Sequence, residues 1–344
     1  MSHRLPLDRV VVPWLASRLL VATVFVVSSV LAQRSPFWAF GAWDGGWYAD
    51  IARRGYGFVN DDGKTPYPFF PLLPLILRGG SAIGLPWAMV GVVVGHLAFL
   101  FALAGTYVLV RDRFGEPAAP LAVWAYALFP GGAPFSMVYP SAIFVAATTW
   151  AFVALDRGRR PLSGALAAVA ALVRPNGIVA AVALALEAAS RARRAGDVAR
   201  VAGPAFAALA GWMAVLWWWT GDPLMFVHAK SAWQESTLAA VLAGGVAVPK
   251  VDVTALALAL AVLVATWRIL PRSWLVLAAL WLGPPLFLGM LGLPRYVSSC
   301  FPVFAAAGIL LARVRPALAG GVLVTSCAGL VLLAARIATG RMMP

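Results

Sequence analysis

The acidic side chains best placed to do chemistry lie in one short, aromatic-rich stretch of the chain. Asp44 follows a tryptophan and precedes two glycines, and Asp50 lies six residues further on. A carboxylate within hydrogen-bond reach of a hydroxyl can act as a general base. Aspartate is also a favoured N-cap residue, so both roles are open for Asp44. For Asp50, an i,i+4 ion pair with Arg54 is the favoured interpretation.

Two arginines interrupt apolar sequence, which makes them candidates for binding phosphate. Arg174 precedes Pro175-Asn176-Gly177, and Arg295 stands between Pro294 and Tyr296. An ionisable side chain in such surroundings is expensive and indicates a function, and a guanidinium binds two phosphate oxygens at once. Structural alternatives are that Arg174 satisfies carbonyls freed at a helix break and that Arg295 snorkels to lipid headgroups.

The composition shows which elements must position these side chains. The 344 residues are 62% apolar and only 12% charged, too few polar groups for an ordinary soluble domain. At about 20 residues per crossing the chain predicts an all-α polytopic protein, a single integral membrane domain over 1–344. The net charge of +14 follows from topology, so no nucleic-acid partner is expected.

Apolar runs long enough to cross a bilayer, or nearly so, recur along the chain. They cover about 10–31, 86–110, 117–135, 137–155, 201–219, 251–267, 275–293, 297–312 and 317–335. The stretch 162–189 is broken by Arg174-Pro175-Asn176-Gly177, and it predicts two short helices in a hairpin. The sum is about 11 transmembrane helices with the C-terminus outside.

The charges divide the loops into two sides. Thirteen of the 27 basic residues lie in five loops on the side of the N-terminus: Arg111, Arg113, Arg157, Arg159, Arg160, Arg191, Arg193, Arg194, Arg200, Arg268, Arg272, Arg313 and Arg315. That side is therefore predicted to be cytoplasmic. The outer side receives the long loops 32–85 and 220–250 and most of the acids, so we expect the chemistry there.

The first outer loop is predicted to carry interfacial and re-entrant segments. A helix over 47–54 would place Trp47, Tyr48 and Ile51 on one face, in lipid, with the charged residues on the other. Four prolines between Pro66 and Pro74 argue against a regular helix, and irregular backbone at membrane depth must line a cavity or be buried in protein.

The motifs of this loop resemble the signature of the PIG-V-like mannosyltransferases, relatives of the second GPI mannosyltransferase within the GT-C glycosyltransferase superfamily. The matching residues are Trp43-Asp44-Gly45 with Trp47-Tyr48, Ile51-Ala52 with Gly55-Tyr56, Phe69-Phe70-Pro71-Leu72 with Pro74-Leu75, Arg174-Pro175-Asn176-Gly177, Gly221-Asp222-Pro223-Leu224 with His228 and Trp233, and Arg295-Tyr296 followed by Phe301-Pro302. One position departs from the family, which often has a glutamate where this chain has Ser141.

The resemblance implies a GT-C-like membrane enzyme that takes mannose from a polyprenyl-phosphate donor on the extracytoplasmic face of the cell membrane. Asp44 would be the base in an inverting transfer to a lipid-linked, glycan or protein acceptor. Arg295, Arg174, His228 and Lys230 would bind the donor phosphate. The site wall would comprise Trp43, Trp47, Tyr48, Asp50, Tyr67, Phe70, Asn176, Asp222, Trp233 and Tyr296.

Several alternatives stay open at this level. His228 could instead bond a sugar hydroxyl, and Asp222 could simply form a turn. Acids of the first loop could gather around a divalent metal, but arginine alone can neutralise a monophosphate, so neither a metal nor another cofactor is expected. The same residues could also use a donor that carries another sugar on polyprenyl phosphate, such as arabinose. A lipid or sugar transporter would instead place acids and broken helices at mid-bilayer.

Overall fold

The computed structural model describes residues 7–191, 195–233, 249–288 and 292–344, and over these ranges the chain is helical with no strand. The α-helices are α1 Leu7–Leu31, α2 Trp38–Gly41, α3 Asp44–Arg54, α4 Leu72–Ala82, α5 Trp87–Phe114, α6 Ala118–Ala127, α7 Ser141–Asp156, α8 Arg160–Val173, α9 Ile178–Arg191, α10 Ala195–Thr220, α11 Met225–His228, α12 Lys250–Ala265, α13 Arg272–Leu288, α14 Leu293–Ser298, α15 Phe301–Leu311 and α16 Pro316–Ala338. Short 3₁₀ helices cover Pro130–Ser136, Pro175–Gly177 and Ala229–Trp233.

The chain is a multi-pass membrane protein. Within the described ranges, four helices are long and apolar enough to cross a bilayer: Asp8–Leu31, Trp87–Phe114, Ala195–Thr220 and Pro316–Ala338. Pro130–Ser136 and Ser141–Asp156 pass the same test as one span bent by 100°. Several other apolar helices have 10–17 residues, so the count of about 11 crossings stays a prediction.

The predicted hairpin over 162–189 is confirmed. α8 ends at Val173, Arg174 has extended backbone, and α9 begins at Ile178 after the 3₁₀ turn. Gly177 is required at this tip, because a Cβ there would lie 1.9 Å from the carbonyl oxygen of Ala170. Arg174 therefore lies at the tip of the hairpin.

A buried arginine stabilises a second break in the helical structure, between α6 and α7. The Arg18 guanidinium, on α1, is 2% exposed. Its Nη1 donates to the carbonyl oxygen of Gly132 and to Ser136 Oγ, both at 3.0 Å, and its Nη2 donates to the carbonyl oxygen of Ala127 at 3.3 Å. Carbonyls freed where a helix stops need such donors inside a membrane. This contact stabilises the segment that leads to Tyr139 and Ser141.

An ion-pair network closes the opposite end of the bundle. Arg113 contacts Asp156 at 2.7 Å and Glu187 at 3.0 Å, Arg191 contacts the same two acids, and Ser273 donates to Glu187. The network joins α5, α7, α9 and α13 at the end of α7 remote from Ser141, about 20 Å away by helix rise. It belongs to the side that the arginines predict to be cytoplasmic.

The first outer loop differs from its prediction in two respects. The expected helix forms as α3, but Tyr48 and Ile51 are 5% and 3% exposed because they pack against the protein, so the expectation that the aromatic face lies in lipid was wrong. The segment before Pro71 is irregular as predicted, whereas Pro74 lies within the first turn of α4. A first-turn residue has no intrahelical N–H bond to lose, which is why proline is tolerated there.

Candidate active site

Asp44 and Arg295 form an ion pair across 251 residues of sequence, with 2.6 Å between Arg295 Nη1 and Asp44 Oδ2. Asp44 is the first residue of α3, and Arg295 lies in the short helix α14. Both side chains are largely enclosed, with 32% and 19% exposure. The pair therefore joins the first outer loop to the C-terminal third of the chain.

Asp44 does not cap its helix. The cap residue of α3 is Trp43, and no side chain caps the helix. The Asp44 N–H instead donates to the Tyr139 hydroxyl at 3.1 Å, while the carboxylate binds Arg295. The N-cap interpretation of Asp44 was wrong, because a helix on another part of the chain offers the carboxylate a charged partner.

Arg174 lies beside this pair. Its Nη2 donates to Ser141 Oγ at 2.7 Å, and its guanidinium lies 5.9 Å from the ring centroid of Trp281. Arg174 also interacts electrostatically with Arg295, Asp44 and Tyr48. Within the described part of the chain the Arg174 side chain donates to no carbonyl oxygen, so the helix-break interpretation is not supported.

The cluster carries more positive than negative charge. Two guanidinium groups, Arg174 and Arg295, share one carboxylate among the side chains in contact here. Arg295 Nε is buried and has no hydrogen-bond partner within the described residues. A buried excess of donors and positive charge suits an anion such as a phosphate.

Arg295 stays protonated despite its enclosure. Burial lowers its pKa, but the charge of Asp44, with smaller contributions from Tyr139, Tyr296 and the hydrogen bond of Asp44, outweighs burial and leaves the pKa above its ordinary value. The guanidinium also lies 5.5 Å from the ring centroid of Tyr139 and 5.8 Å from that of Tyr296. Arg295 is therefore a fixed cation enclosed by aromatic rings.

The residues of the second outer loop do not join this cluster. His228 Nδ1 and Asp222 Oδ2 are 2.6 Å apart, and Asp222 Oδ1 accepts from the Leu224 N–H at 2.9 Å. The hydrogen bond from His228 lowers the pKa of Asp222. This geometry is the turn that Asp222 was alternatively predicted to form. Among the described residues, no contact links His228 or Lys230 to Asp44 or Arg295.

The aromatic residues assigned to the site wall occupy different places. Trp47 is stacked between Phe58 and Phe69, with centroid distances of 5.7 Å and 5.5 Å. Phe70 is fully buried in the hydrophobic core and cannot contact a ligand there. Tyr67 packs on Tyr56.

The other residues that were assigned to the site wall also occupy different places. Tyr48 is buried beside the ion pair, and the main chain of Tyr296 accepts a bond from Trp281. Asn176 is half-buried at the hairpin tip next to Arg174. Asp50 pairs with Arg54 at 3.0 Å, the structural role expected for it. The side chain of Trp233 lies outside the described residues.

An apolar groove of about 550 Å³ opens beyond the C-terminal end of α3. It lies between α3, α4 and α10, and it is lined by Ile51, Ala52, Gly55, Tyr56, Gly57, Tyr67, Pro71, Pro74, Leu75, Arg78, Trp212 and Trp219. Its aromatic and aliphatic walls with a single arginine are suited to a lipid chain.

Sequence reasoning missed Tyr139 as a site residue and treated Ser141 only as a departure from the family. Tyr139 and Pro140 directly precede α7, and Ser141 is its first residue, so the Tyr139 and Ser141 side chains lie at the level of the ion pair. Tyrosine and proline before an apolar helix were the available signal. No group of three or more metal-ligating side chains occurs within the described ranges.

Solved structures share this fold. Over 92% of its length the chain is similar to ArnT from Cupriavidus metallidurans bound to undecaprenyl phosphate, with 17% identity and a TM-score of 0.56. Over 95% it is similar to the archaeal oligosaccharyltransferase AglB from Archaeoglobus fulgidus in complex with an inhibitory peptide and a dolichol-phosphate, with 13% identity and a TM-score of 0.52. The chain spans 62% of the ArnT chain and 56% of the AglB chain. The likeness shows that the chain shares the fold of these proteins.

No protein-family model matches the chain, and no curated protein matches it.

Proposed function

We propose that the protein is a membrane glycosyltransferase that uses a polyprenyl-phosphate sugar, with Asp44 as the base and Arg295 and Arg174 as phosphate ligands. The observation that carries this proposal is the half-buried ion pair of Asp44 and Arg295 with Arg174 beside it. The shared fold with proteins solved with undecaprenyl phosphate and dolichol-phosphate supports the donor class. The site lies on the extracytoplasmic face.

In the proposed mechanism the donor phosphate breaks the ion pair of Asp44 and Arg295 before the sugar is transferred. In the ion pair, Asp44 Oδ2 is occupied by Arg295 Nη1. A donor phosphate that binds Arg295 and Arg174 supplies competing oxygens and releases Asp44 to accept the proton of the acceptor hydroxyl. That oxygen then attacks the anomeric carbon as the bond to the phosphate breaks, and a single displacement inverts the configuration.

Mannose is the proposed sugar because the motifs resemble those of the PIG-V-like mannosyltransferases. The second candidate is a pentose such as arabinose on the same lipid carrier, since the phosphate ligands do not contact the sugar ring. The arginines neutralise a monophosphate by themselves, so the proposed transfer requires no metal.

The proposal is tested with Asp44→Asn in membranes supplied with polyprenyl-phosphate mannose. Asparagine keeps the size of the side chain but cannot accept the proton, and losing a general base lowers the rate by about 10²–10⁴-fold. Product formation is measured by mass spectrometry, with unmodified protein and Asp61→Asn, an exposed acid of the same loop, as controls. Full transfer by Asp44→Asn would exclude Asp44 as the base.

A further inference from the structure

The hydrogen-bond partner of Arg174 in the candidate site is the neutral side chain of Ser141. Ser141 is the first residue of α7, it is fully buried, and its Oγ accepts from Arg174 Nη2 at 2.7 Å. Arg295, by contrast, is paired with the carboxylate of Asp44. Among the described residues Arg174 forms no ion pair, so no carboxylate in direct contact neutralises its charge.

The cluster therefore has an excess of positive charge. Two guanidinium groups and one carboxylate leave one positive charge over, and the two guanidinium groups repel each other. The titratable and charged side chains that face the cluster are Asp44 and Tyr48 on α3, Tyr139 before α7, Arg174 at the hairpin tip, and Arg295 and Tyr296 on α14. In so enclosed a site, attraction for an anion grows with the negative charge of the anion.

The proposed transfer changes the charge of the lipid phosphate. The donor is a phosphate diester with one negative charge. When the bond from the anomeric carbon to the phosphate oxygen breaks, its electron pair stays on that oxygen, and the product is a monoester with a charge close to −2 at neutral pH. The proton of the acceptor hydroxyl moves to Asp44 and neutralises the carboxylate. The product phosphate thus faces two guanidinium groups with no opposing carboxylate charge.

We propose that Ser141 determines the charge selectivity of the phosphate site. Because Ser141 leaves the charge of Arg174 available, the site binds the spent carrier, polyprenyl phosphate, more tightly than the sugar-bearing diester. The proposal rests on the proposed function and names a regulation of the same site. Free polyprenyl phosphate competes with the donor, so transfer slows when spent carrier accumulates in the membrane.

The selectivity is measured with two probes, undecaprenyl phosphate and its methyl diester, which share the lipid chain and differ in charge. Binding to the full chain in detergent is followed by isothermal titration calorimetry. At pH 8 we expect the monoester to bind about tenfold more tightly, which corresponds to about 1.4 kcal/mol. At pH 5 about nine-tenths of the monoester has a single charge, so its affinity should fall about fivefold. The diester has no second ionisation, and its affinity at each pH reports any change in the protein itself.

Three variants separate charge from hydrogen bonding. Ser141→Asp places a carboxylate beside Arg174, and an acidic residue in the first turn of a helix is favourable. Arg174→Gln removes the same excess charge from the other partner, which covers a failure of Ser141→Asp to fold. Both should bind the two lipids with affinities within about twofold at pH 8, because the cluster is then neutral. Ser141→Ala, the matched control, removes the hydroxyl without adding charge and should keep the preference for the monoester.

Equal affinity of the unmodified protein for the two lipids at pH 8 would overturn the proposal. A preference that persists in Ser141→Asp and Arg174→Gln, or that disappears in Ser141→Ala, would overturn it as well. In transfer assays undecaprenyl phosphate should inhibit in competition with the donor, with an inhibition constant about tenfold higher in Ser141→Asp.

The proposed function and this selectivity fail separately. Preference for the monoester in a protein that transfers no sugar would support the charge selectivity and contradict the proposed function. Sugar transfer by a protein that binds both lipids equally would support the proposed function and overturn the role of Ser141.

Discussion

Arg295 contacts Asp44, Tyr139 and Tyr296 at once, and its Nε is buried without a partner in the described part of the chain. Because the same guanidinium neutralises the proposed base and faces the proposed phosphate site, donor binding and base activation are coupled through one side chain. A phosphate that reaches Nε gains a charge-assisted hydrogen bond that the unliganded protein does not make.

Arg295→Lys separates charge from geometry at this position. Lysine keeps a cation for Asp44 but loses the planar fork that binds two oxygens. We expect a rise of about tenfold in the donor KM, since one charge-assisted hydrogen bond contributes about 1.5–3 kcal/mol. The acceptor KM should change little. Arg53→Lys, on the exposed face of α3, is the matched control, and an unchanged donor KM in Arg295→Lys would contradict the phosphate role.

Residue types singled out Arg174 and Arg295 as candidates, because charged groups within apolar sequence are rare enough to stand out. Asp44 was chosen as the base because the family resemblance implies it. Their pairing was not predictable, since the contact between Asp44 and Arg295 depends on how α14 packs against the first outer loop. The phosphate role of His228 and Lys230 was predicted from their place in the second outer loop, and among the described residues neither contacts Asp44 or Arg295. Trp233 remains a prediction whose side chain lies outside the described residues.

At the scale of elements, breaks in helices place the site. Arg174 stands at the break between α8 and α9, and Tyr139 and Ser141 follow the break between α6 and α7. The first break was predictable from proline and glycine in series. At the second break the sequence predicts two adjacent membrane spans instead. The break was not predictable because Arg18, the donor that stabilises it, lies more than a hundred residues earlier in the chain.

The α14 helix has its own positioning contact. Asp252, 2% exposed on α12, faces the backbone N–H groups of Gly292 and Leu293 at the start of α14. Gly292 has a φ of +75°, a conformation that favours glycine. The Asp252 carboxylate thus orients α14, the helix that carries Arg295. The sequence does not predict this contact, because it shows only an acidic residue at the start of an apolar run.

Removing the donor that holds the second break should loosen the site. In Arg18→Ala the carbonyl oxygens of Ala127 and Gly132 lose their guanidinium partner, and each buried unpaired group costs about 1–3 kcal/mol. We expect the thermal transition of purified protein to fall by several degrees, together with the transfer rate. Arg9→Ala, on the same helix and exposed, is the control. An unchanged transition temperature would show that the break persists without Arg18.

At the scale of the whole molecule, the sorting of charges by loop predicts which end of the bundle faces the cytoplasm, and both this sidedness and the number of crossings stay predictions. The arginine-rich loops lie at the end closed by Arg113, Asp156 and Glu187, away from Asp44. Pro344 lies beside Gly292, so the residues after α16 share the side of Arg295, as the predicted topology requires. Helix lengths were less predictable, because packing inside a bundle permits apolar helices too short to cross alone.

This sidedness leads to a labelling prediction that does not depend on enzymatic activity. A cysteine at Asp61, in the first outer loop, should react in intact cells with a membrane-impermeant maleimide. A cysteine at Arg157, beyond the network end of α7, should react only after permeabilisation, because arginine-rich loops stay in the cytoplasm. Cys300 is buried and Cys327 half-buried, so the unmodified chain measures the background. Labelling of Arg157→Cys alone in intact cells would place Asp44 and Arg295 on the cytoplasmic side, where the proposed site could not meet an extracytoplasmic donor.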